Sequence, residues 1–447
     1  MRNLNTIYIF LIPLLVAGIS FGYTTFTLCL VLLFLRLIFA NRQSVAFFLV
    51  MYGGIIGGMI RAVYPEIPVY GIFLSAIGIF LVRDVFFDFI KKGKESLIYL
   101  VICFFVFALY YLWGPQDSFA SDKLLNIIEN GAFTVFGYYL FCSSSKIDNE
   151  GIFQTLLVST ILMFGFVIEY YNFYPGALFD YEWFRSQEYA WMATNHFENS
   201  ILVSYQHIGM NVLFGLSIFL SKNKINKKAF VLYIIVSAQL ILSSGCRQAI
   251  MGLFLIVILK LIIFKESSFK RSTAQNIVFA IGLGGILIMI SYQLLMSLNI
   301  DYINNTIERG DSGRAILLAQ GLQIFYENPF VGSGLGGFHA ITGEVYPHNF
   351  IIEILCECGI VGAFIFSVLV FSCFKRAKLS IFYSTINNSY LFLVIAALSV
   401  RVLVSGDFKI SIELFSAVFA TLAVVYQRKQ TNAVTCFYKK QESGKIH

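Results

Sequence analysis

The residue best suited to proton transfer is a histidine, His348, at the predicted start of an apolar helix. An ordinary histidine has a pKa of about 6.5, so its ring is largely neutral at pH 7 and accepts a proton. Pro347 precedes it and the apolar run begins directly after it, so the positive end of the helix dipole disfavours the imidazolium form. His348 is therefore the candidate general base, and a capping or interfacial histidine is the alternative.

Three polar residues, Asn349, Glu353 and Glu357, recur at intervals of four in the same predicted helix. This spacing places them on one helix face. Glu357 lies about 12 Å from the helix start, near the middle of a membrane, where an ionisable group requires a polar cavity or a partner. Arg401 in the next apolar run is the nearest candidate in sequence, so we predict a Glu357–Arg401 pair. Asn349, Glu353 and Arg401 are predicted to line the substrate site.

A short amphipathic helix, predicted to lie on the outer membrane surface, precedes this group. It begins with a cap at Asp311 or Ser312 and ends at Asn328, which is followed by a proline. Its first turn presents Arg314. The glycine-rich turn VGSGLGGFHA follows, in which Gly334 and Gly336 permit a positive φ and a close approach of the backbone to a ligand. The turn lacks the Lys-Ser/Thr pair of a nucleotide-binding loop, so it does not predict a nucleotide site.

A second candidate binding region is rich in aromatic residues. Residues 173–197 contain nine of them, interleaved with Asp, Glu, Asn and Gln. A sugar stacks its C–H faces on rings and bonds its hydroxyls to polar groups, so Tyr181 and Trp183 are candidate sugar contacts. An aromatic belt at the membrane interface is the alternative. Asp180 and Glu182 form a D-x-E pair that lacks a third ligand, and neither a metal nor a cofactor is predicted.

The elements that position these residues are membrane spans. Of 447 residues, 58% are hydrophobic and 13% are charged, and the mean hydropathy is +0.77, whereas a soluble domain carries about 25% charged residues. The predicted fold is all-α, a single integral membrane domain over residues 1–447 with about 14 transmembrane helices. The predicted spans are 5–21, 24–41, 45–61, 68–90, 96–114, 125–143, 152–173, 200–220, 229–244, 249–264, 276–296, 349–373, 387–405 and 410–426.

The distribution of basic residues predicts the orientation of these spans. With a cytoplasmic N-terminus, 21 of the 32 Lys and Arg residues fall in inside segments, seven in outside segments and four within spans. The positive-inside rule therefore predicts that both termini are cytoplasmic. Topology also explains the net charge of +7, so no nucleic-acid partner is predicted.

Two connections on the predicted outer side are long, residues 174–199 and residues 298–348, the second lying between spans 11 and 12. Long loops on a protein whose other connections are short are where function is expected. Tyr181 and Trp183 lie in the first of these loops, whereas Arg314 and His348 lie in the second.

Four runs of residues in and after the second long loop form a recognisable pattern, namely 312–314, 328–334, 347–353 and 357–362. They resemble the signature shared by bacterial O-antigen polymerases (Wzy-type) and O-antigen ligases. The many-span layout with a large, late outer loop is also similar. That family has a further arginine after a span that precedes the large loop, and Arg247 in the run Ser-Ser-Gly-Cys-Arg, residues 243–247, is similar to it.

This resemblance implies a GT-C-like fold in the bacterial inner membrane and transfer of an oligosaccharide from undecaprenyl diphosphate to a sugar hydroxyl on the outer side. Arg247 and Arg314 would then offer planar guanidinium groups to the diphosphate oxygens. His348 would accept the proton of the acceptor hydroxyl. The implied partners are the lipid-linked donor and acceptor, membrane lipid and a chain-length regulator.

Three functions are compatible with the sequence. The first is a polymerase of O-antigen, capsule or exopolysaccharide repeat units, favoured by the fourteen spans and the aromatic loop. The second is an O-antigen ligase that transfers glycan to lipid A-core. The third is a fourteen-span transporter or a flippase of lipid-linked oligosaccharides, which is disfavoured because residues 1–220 and 221–447 show no repeat.

Overall fold

The helices of the protein follow the apolar runs of its sequence. The computed structural model describes residues 24–38, 40–63, 66–143, 146–170, 205–221, 246–263, 312–377, 392–405 and 411–422, with residue 408 and isolated residues between 233 and 241. All regular elements within these ranges are α-helices. The all-α prediction is therefore confirmed for the described part of the chain.

The described helices are labelled here in chain order. They are α1 (Thr24–Ile38), α2 (Arg42–Val63), α3 (Gly71–Leu81), α4 (Arg83–Lys92), α5 (Lys94–Trp113), α6 (Ser118–Ser143), α7 (Lys146–Tyr170), α8 (Tyr205–Leu220), α9 (Arg247–Ile263), α10 (Ser312–Glu327), α11 (Gly337–Thr342), α12 (Phe350–Ala377), α13 (Phe392–Ser405) and α14 (Ser411–Leu422).

Three of these helices are long and apolar enough to cross a membrane, within α2, α5 and α12. Shorter apolar helices accompany them, including α3, α13 and α14. A helix satisfies its own backbone hydrogen bonds, as a segment in lipid must. The protein is thus a multi-pass membrane protein. The number of fourteen spans stays a prediction, because the spans at 5–21 and 276–296 lie outside the described residues.

The predicted span 68–90 is not one continuous helix. It is divided at Val82 into α3 and α4, each too short to cross a bilayer alone. Helix α4 contains five charged residues within RDVFFDFIKK, and Phe89 on its apolar face is buried against rings of α6. The prediction of one continuous helix over 68–90 was therefore wrong, and whether this segment crosses the membrane stays a prediction.

The chain divides into two compact units. The first comprises residues 1–78, 147–220 and 224–304, and the second comprises residues 79–146, 221–223 and 305–447. The interpretation of residues 1–447 as one membrane domain stays a prediction.

The first unit has an aromatic core whose hydroxyl groups are hydrogen-bonded. The rings of Phe48 and Tyr52 are stacked at a centroid distance of 5.6 Å. The Tyr52 hydroxyl donates to the backbone oxygen of Asn211 at 3.3 Å, and the Thr160 hydroxyl donates to the Tyr233 hydroxyl oxygen at 3.3 Å. These bonds satisfy buried polar groups. Helices α2, α7 and α8 therefore share one core.

The second unit has its own aromatic core, which lies beneath the candidate site. The ring of Phe107 on α5 lies 4.9 Å from the rings of Phe366 and Phe408. Phe350, the first residue of α12, lies 5.7 Å from Phe408 and 5.8 Å from Phe415. Packing among these rings fixes α12 against α5 and α14.

Candidate functional site

The site residues of the second unit are arranged around the first turns of α12. Asn349 is the cap of this helix, since its Oδ1 accepts the backbone N–H groups of Ile351 at 2.9 Å and Ile352 at 3.2 Å. Its Nδ2 donates to the backbone oxygen of Leu403 on α13 at 3.3 Å. Asn349 thus defines where α12 begins, and its predicted contact with substrate stays a prediction.

His348, immediately before this cap, has an unusual backbone conformation. Its φ is 56°, and among the described residues only Gln116 is another non-glycine residue with positive φ. This left-handed region is sparsely populated, although histidine enters it more readily than most residues do. The half-buried ring lies 4.4 Å from the Tyr346 ring. Such a conformation costs on the order of 1–3 kcal/mol, and it is found preferentially at functional positions.

A fully buried cluster of three charges lies along the next two turns. The Lys123 Nζ on α6 donates to Glu353 Oε1 at 2.6 Å and to both Glu357 oxygens at 2.9 Å. All three side chains are at most 1% exposed. Glu353 and Glu357 lie on one helix face, as predicted, because they are four residues apart. One ammonium group thereby joins α6 to two turns of α12.

The predicted Glu357–Arg401 pair was wrong. Glu357 is bound to Lys123, and Arg401 instead donates to Glu413 Oε2 at 2.9 Å, joining α13 to α14. Sequence proximity suggested Arg401, but α6 brings a cation from a residue 234 positions earlier in the chain. The predicted role of Arg401 in substrate binding stays a prediction.

Sequence reasoning missed Lys123, which precedes the predicted span 125–143. Helix α6 begins at Ser118 rather than near residue 125, so Lys123 lies inside the helix. A signal was present, because two glutamates on one face of an apolar helix require a cation. The nearest cation in sequence lies in the neighbouring span, whereas the cation that binds both glutamates lies on α6.

Helix α12 is broken at Gly359, whose φ of 63° and ψ of −170° are not helical. The glycine-rich turn inserts at this break. Ser333 and Gly334 donate their backbone N–H groups to the carbonyls of Cys356 and Glu357, each at 2.9 Å. Beyond the break, the N–H groups of Ile360 and Val361 donate to Pro329 and Phe330, at 2.9 and 3.0 Å. The turn therefore satisfies backbone groups that the break leaves without helical partners.

The predicted ligand-binding glycines approach the protein's own backbone closely. A Cβ on Gly334, whose φ is +83°, would collide with Gly114 after α5. A Cβ on Gly336 would lie 2.8 Å from the Cβ of Ala120 on α6. Packing accounts for the absence of side chains at both positions. Binding of a ligand by these glycines stays a prediction.

Helix α10 occupies the stretch in which a short helix was expected, and it packs against the start of α12. Ile324 of α10 is buried in a cluster with Phe338 and Cys356, and a Cβ on Gly321 would meet the side chains of Ile352 and Pro347. Arg314 lies in the first turn of α10. The location of α10 on the membrane surface stays a prediction.

The remaining predicted residues lie elsewhere. Arg247 is the first residue of α9, which belongs to the first unit. Tyr181 and Trp183 lie outside the described residues, as does the rest of the aromatic loop. Within the described ranges, no group of three or more His, Cys, Asp and Glu residues could hold a metal ion.

The comparison with protein families matches a part of the chain that contains His348, Asn349, Glu353 and Glu357. Residues 229–367 match the Wzy_C family, described as O-antigen ligase. The resemblance inferred from the sequence is thereby confirmed for this segment, which includes Arg247, Arg314, the glycine-rich turn and His348. Proteins of this family are membrane enzymes that transfer glycans. No curated protein matches the chain.

Proposed function

We propose that this protein is a membrane glycosyltransferase that polymerises undecaprenyl-diphosphate-linked repeat units of O-antigen, capsule or exopolysaccharide. The observation that carries glycan transfer is the match of residues 229–367 to the O-antigen ligase family. The choice of polymerisation rests on the sequence predictions of fourteen spans and an aromatic outer loop. Within the matched segment, His348 has a left-handed backbone conformation directly before a capped helix. The reaction is placed on the outer side of the cytoplasmic membrane, following the predicted orientation.

In the proposed step, the acceptor hydroxyl oxygen forms a bond to the anomeric carbon of the donor sugar. The bond from that carbon to the diphosphate oxygen breaks, and undecaprenyl diphosphate leaves with the electron pair. His348 accepts the hydroxyl proton and releases it to water. Diphosphate is a good leaving group, so the protein needs mainly to bind its charge and to accept one proton.

Arg314 is proposed to bind the diphosphate. Arg314 lies in the first turn of α10, seven residues before Gly321. Gly321 adjoins Pro347, the residue before His348. Arg314 thus belongs to the helix that packs beside the proposed base. The corresponding role of Arg247 in the first unit rests on the sequence resemblance.

The buried charge cluster is proposed to position α12 rather than to contact sugar. Glu353 is 0% exposed and bound to Lys123 at 2.6 Å, so its carboxylate is a poor candidate for contact with a large glycan. The bonds from Lys123 to Glu353 and Glu357 instead hold the two turns that follow His348. Lys123 is therefore a positioning residue in this proposal.

A second candidate function is the ligation of finished glycan to lipid A-core, which the description of the matched family favours. Both reactions use the same type of donor and the same proton transfer. They differ in the acceptor, which is another lipid-linked glycan for a polymerase and a core sugar for a ligase.

Surface glycan from a deletion strain distinguishes the two functions on a gel. A polymerase deletion leaves core carrying a single repeat unit, whereas a ligase deletion leaves bare core and free lipid-linked polymer. We expect the first pattern, restored to a ladder by the wild-type gene but not by His348→Asn. Bare core with accumulated lipid-linked polymer would assign the ligase function instead.

A further inference from the structure

Helix α5 and the second half of α12, within the second unit, form an antiparallel pair. Near one end, the hydroxyls of Tyr99 and Ser372 are hydrogen-bonded at 2.6 Å. Near the other end, a Cβ on Gly362 would lie 3.0 Å from the Tyr110 hydroxyl. These contacts define the seam between two of the three helices that are long and apolar enough to span a membrane.

Each helix presents an exposed apolar stripe beside this seam. On α5 the stripe is Ile98, Val101 and Phe105, and on α12 it is Phe364, Val368 and Phe371, with exposed fractions from 47% to 70%. Ile98 directly precedes Tyr99, and Phe371 directly precedes Ser372, the two residues hydrogen-bonded at the seam. In antiparallel right-handed helices such residues lie on the same side of the pair. The two stripes therefore form one continuous apolar surface.

Both stripes end at a basic residue at the same end of the pair. Lys94 precedes Ile98 by four positions, and Lys375 follows Phe371 by four positions, so each continues its stripe. Both lysines are exposed. Arg376 joins them at the seam, where it lies 3.8 Å from Glu95 and 5.7 Å from the Tyr99 ring centroid. Among these four residues, three positive charges exceed one negative charge by two.

We propose that this surface, formed by Lys94, Ile98, Phe105, Phe364, Phe371 and Lys375, binds an anionic phospholipid of the membrane. The headgroup phosphate is held by Lys94, Lys375 and Arg376, and the acyl chains lie along the apolar stripes. The proposal adds a lipid ligand, remote from His348, to a protein whose proposed substrates are lipid-linked glycans. It does not depend on which glycan is transferred.

The dimensions and chemistry of the surface both fit a phospholipid. From Lys94 to Phe105 the helix rises about 16 Å, which matches the thickness of one leaflet of a hydrocarbon core of about 30 Å. Basic residues at the end of a membrane helix attract anionic headgroups. A second copy of the chain would place the same lysines against each other, and like charges in contact oppose such a dimer.

The test compares lipid binding to the full-length protein in neutral detergent, measured by native mass spectrometry during titration with phosphatidylglycerol or phosphatidylcholine. We expect wild-type protein to bind phosphatidylglycerol at least about tenfold more tightly than phosphatidylcholine. The Lys94→Gln/Lys375→Gln/Arg376→Gln variant should lose this preference. Glu95→Gln, which removes the one acidic side chain, should increase it.

A matched control removes three lysines outside the described residues, in Lys439→Gln/Lys440→Gln/Lys445→Gln. This control should retain the wild-type preference, since it lowers the net charge equally and leaves Lys94, Lys375 and Arg376 in place. If the first triple variant fails to fold, Lys375→Gln replaces it in the comparison. Its preference for phosphatidylglycerol over phosphatidylcholine should fall about fivefold. Retained preference in the site variant, or equal loss in the control, overturns the proposal. The proposal is also overturned if the wild-type protein binds no phosphatidylglycerol and instead forms a dimer that dissociates in the site variant.

Discussion

At the scale of single residues, His348 combines an imidazole with a backbone conformation that few side chains tolerate. Substitution to asparagine keeps the left-handed conformation accessible, and substitution to glycine removes its cost. We expect both variants to fold like the wild type and to lower turnover by about 10²–10⁴-fold, as loss of a general base does. Initial rates on purified, folded protein measure this. Wild-type activity should also decline as the pH falls through the range in which histidine becomes protonated.

The control for this prediction is His348→Ala, which combines loss of the ring with a strained alanine and should also lower thermal stability. A folded His348→Asn protein with a near wild-type rate and an unchanged pH profile would exclude His348 as the base.

For Lys123 we expect a loss of stability, because its removal leaves two buried glutamates without their shared cation. Lys123→Met should destabilise the protein by about 3–5 kcal/mol, the range for breaking a buried ion pair. Thermal unfolding in detergent, followed by tryptophan fluorescence, measures the loss. The triple variant Lys123→Met/Glu353→Gln/Glu357→Gln removes the charges together and should recover most of the stability. An unchanged midpoint for Lys123→Met would show that the cluster does not hold α12.

The two proposed diphosphate ligands are tested by a substitution that conserves charge. Arg314→Lys and Arg247→Lys should each abolish most activity, because a lysine cannot supply the bidentate geometry of a guanidinium group. Arg309→Lys is a matched control in the same predicted outer loop as Arg314. Glycan length on a gel, at equal expression, measures the effect. Wild-type glycan length in either test variant removes that arginine from the proposal.

At the scale of elements, the break in α12 depends on the close approach of the glycine-rich turn. In Gly359→Ala the new Cβ would collide with the Phe330 carbonyl while φ stays at 63°. We expect loss of stability and of activity, since the turn and the first half of α12 share hydrogen bonds. Gly343→Ala is the control, because its φ is also positive, at 74°, but nothing lies within 4 Å of the Cβ position. Equal melting temperatures for the two variants would argue against insertion of the turn as a determinant of the break.

The helices themselves could be predicted from apolar runs, and α12 begins within one residue of the predicted start. The breaks at Val82 and Gly359 could not, and the break at Gly359 depends on hydrogen bonds with the distant glycine-rich turn. In the sequence, Gly359 looks like any other glycine in an apolar span. The structure shows that the carbonyls of Pro329 and Phe330 accept the N–H groups of the turn that follows it. Lys123 was missed for the same reason, since its partners lie more than 200 positions away in the chain.

At the scale of the whole molecule, the orientation in the membrane is a prediction from charge alone. A fluorescent protein fused after His447 should fold and fluoresce in the cytoplasm, whereas alkaline phosphatase at the same position should be inactive. The positive-inside rule is the physical reason, since 21 basic residues lie in the segments assigned to the cytoplasm. Active phosphatase at this position would invert the assignment and place His348 on the side opposite to the proposed donor.

The most direct test of the account is polymerisation by the purified protein. The full-length chain is reconstituted in liposomes with a lipid-linked oligosaccharide repeat unit as both donor and acceptor, and the product is resolved on a gel. We predict a ladder of increasing glycan length with wild-type protein and single repeat units with His348→Asn. The account would be contradicted by wild-type protein that forms no ladder but transfers preformed glycan to lipid A-core, or by a ladder from His348→Asn.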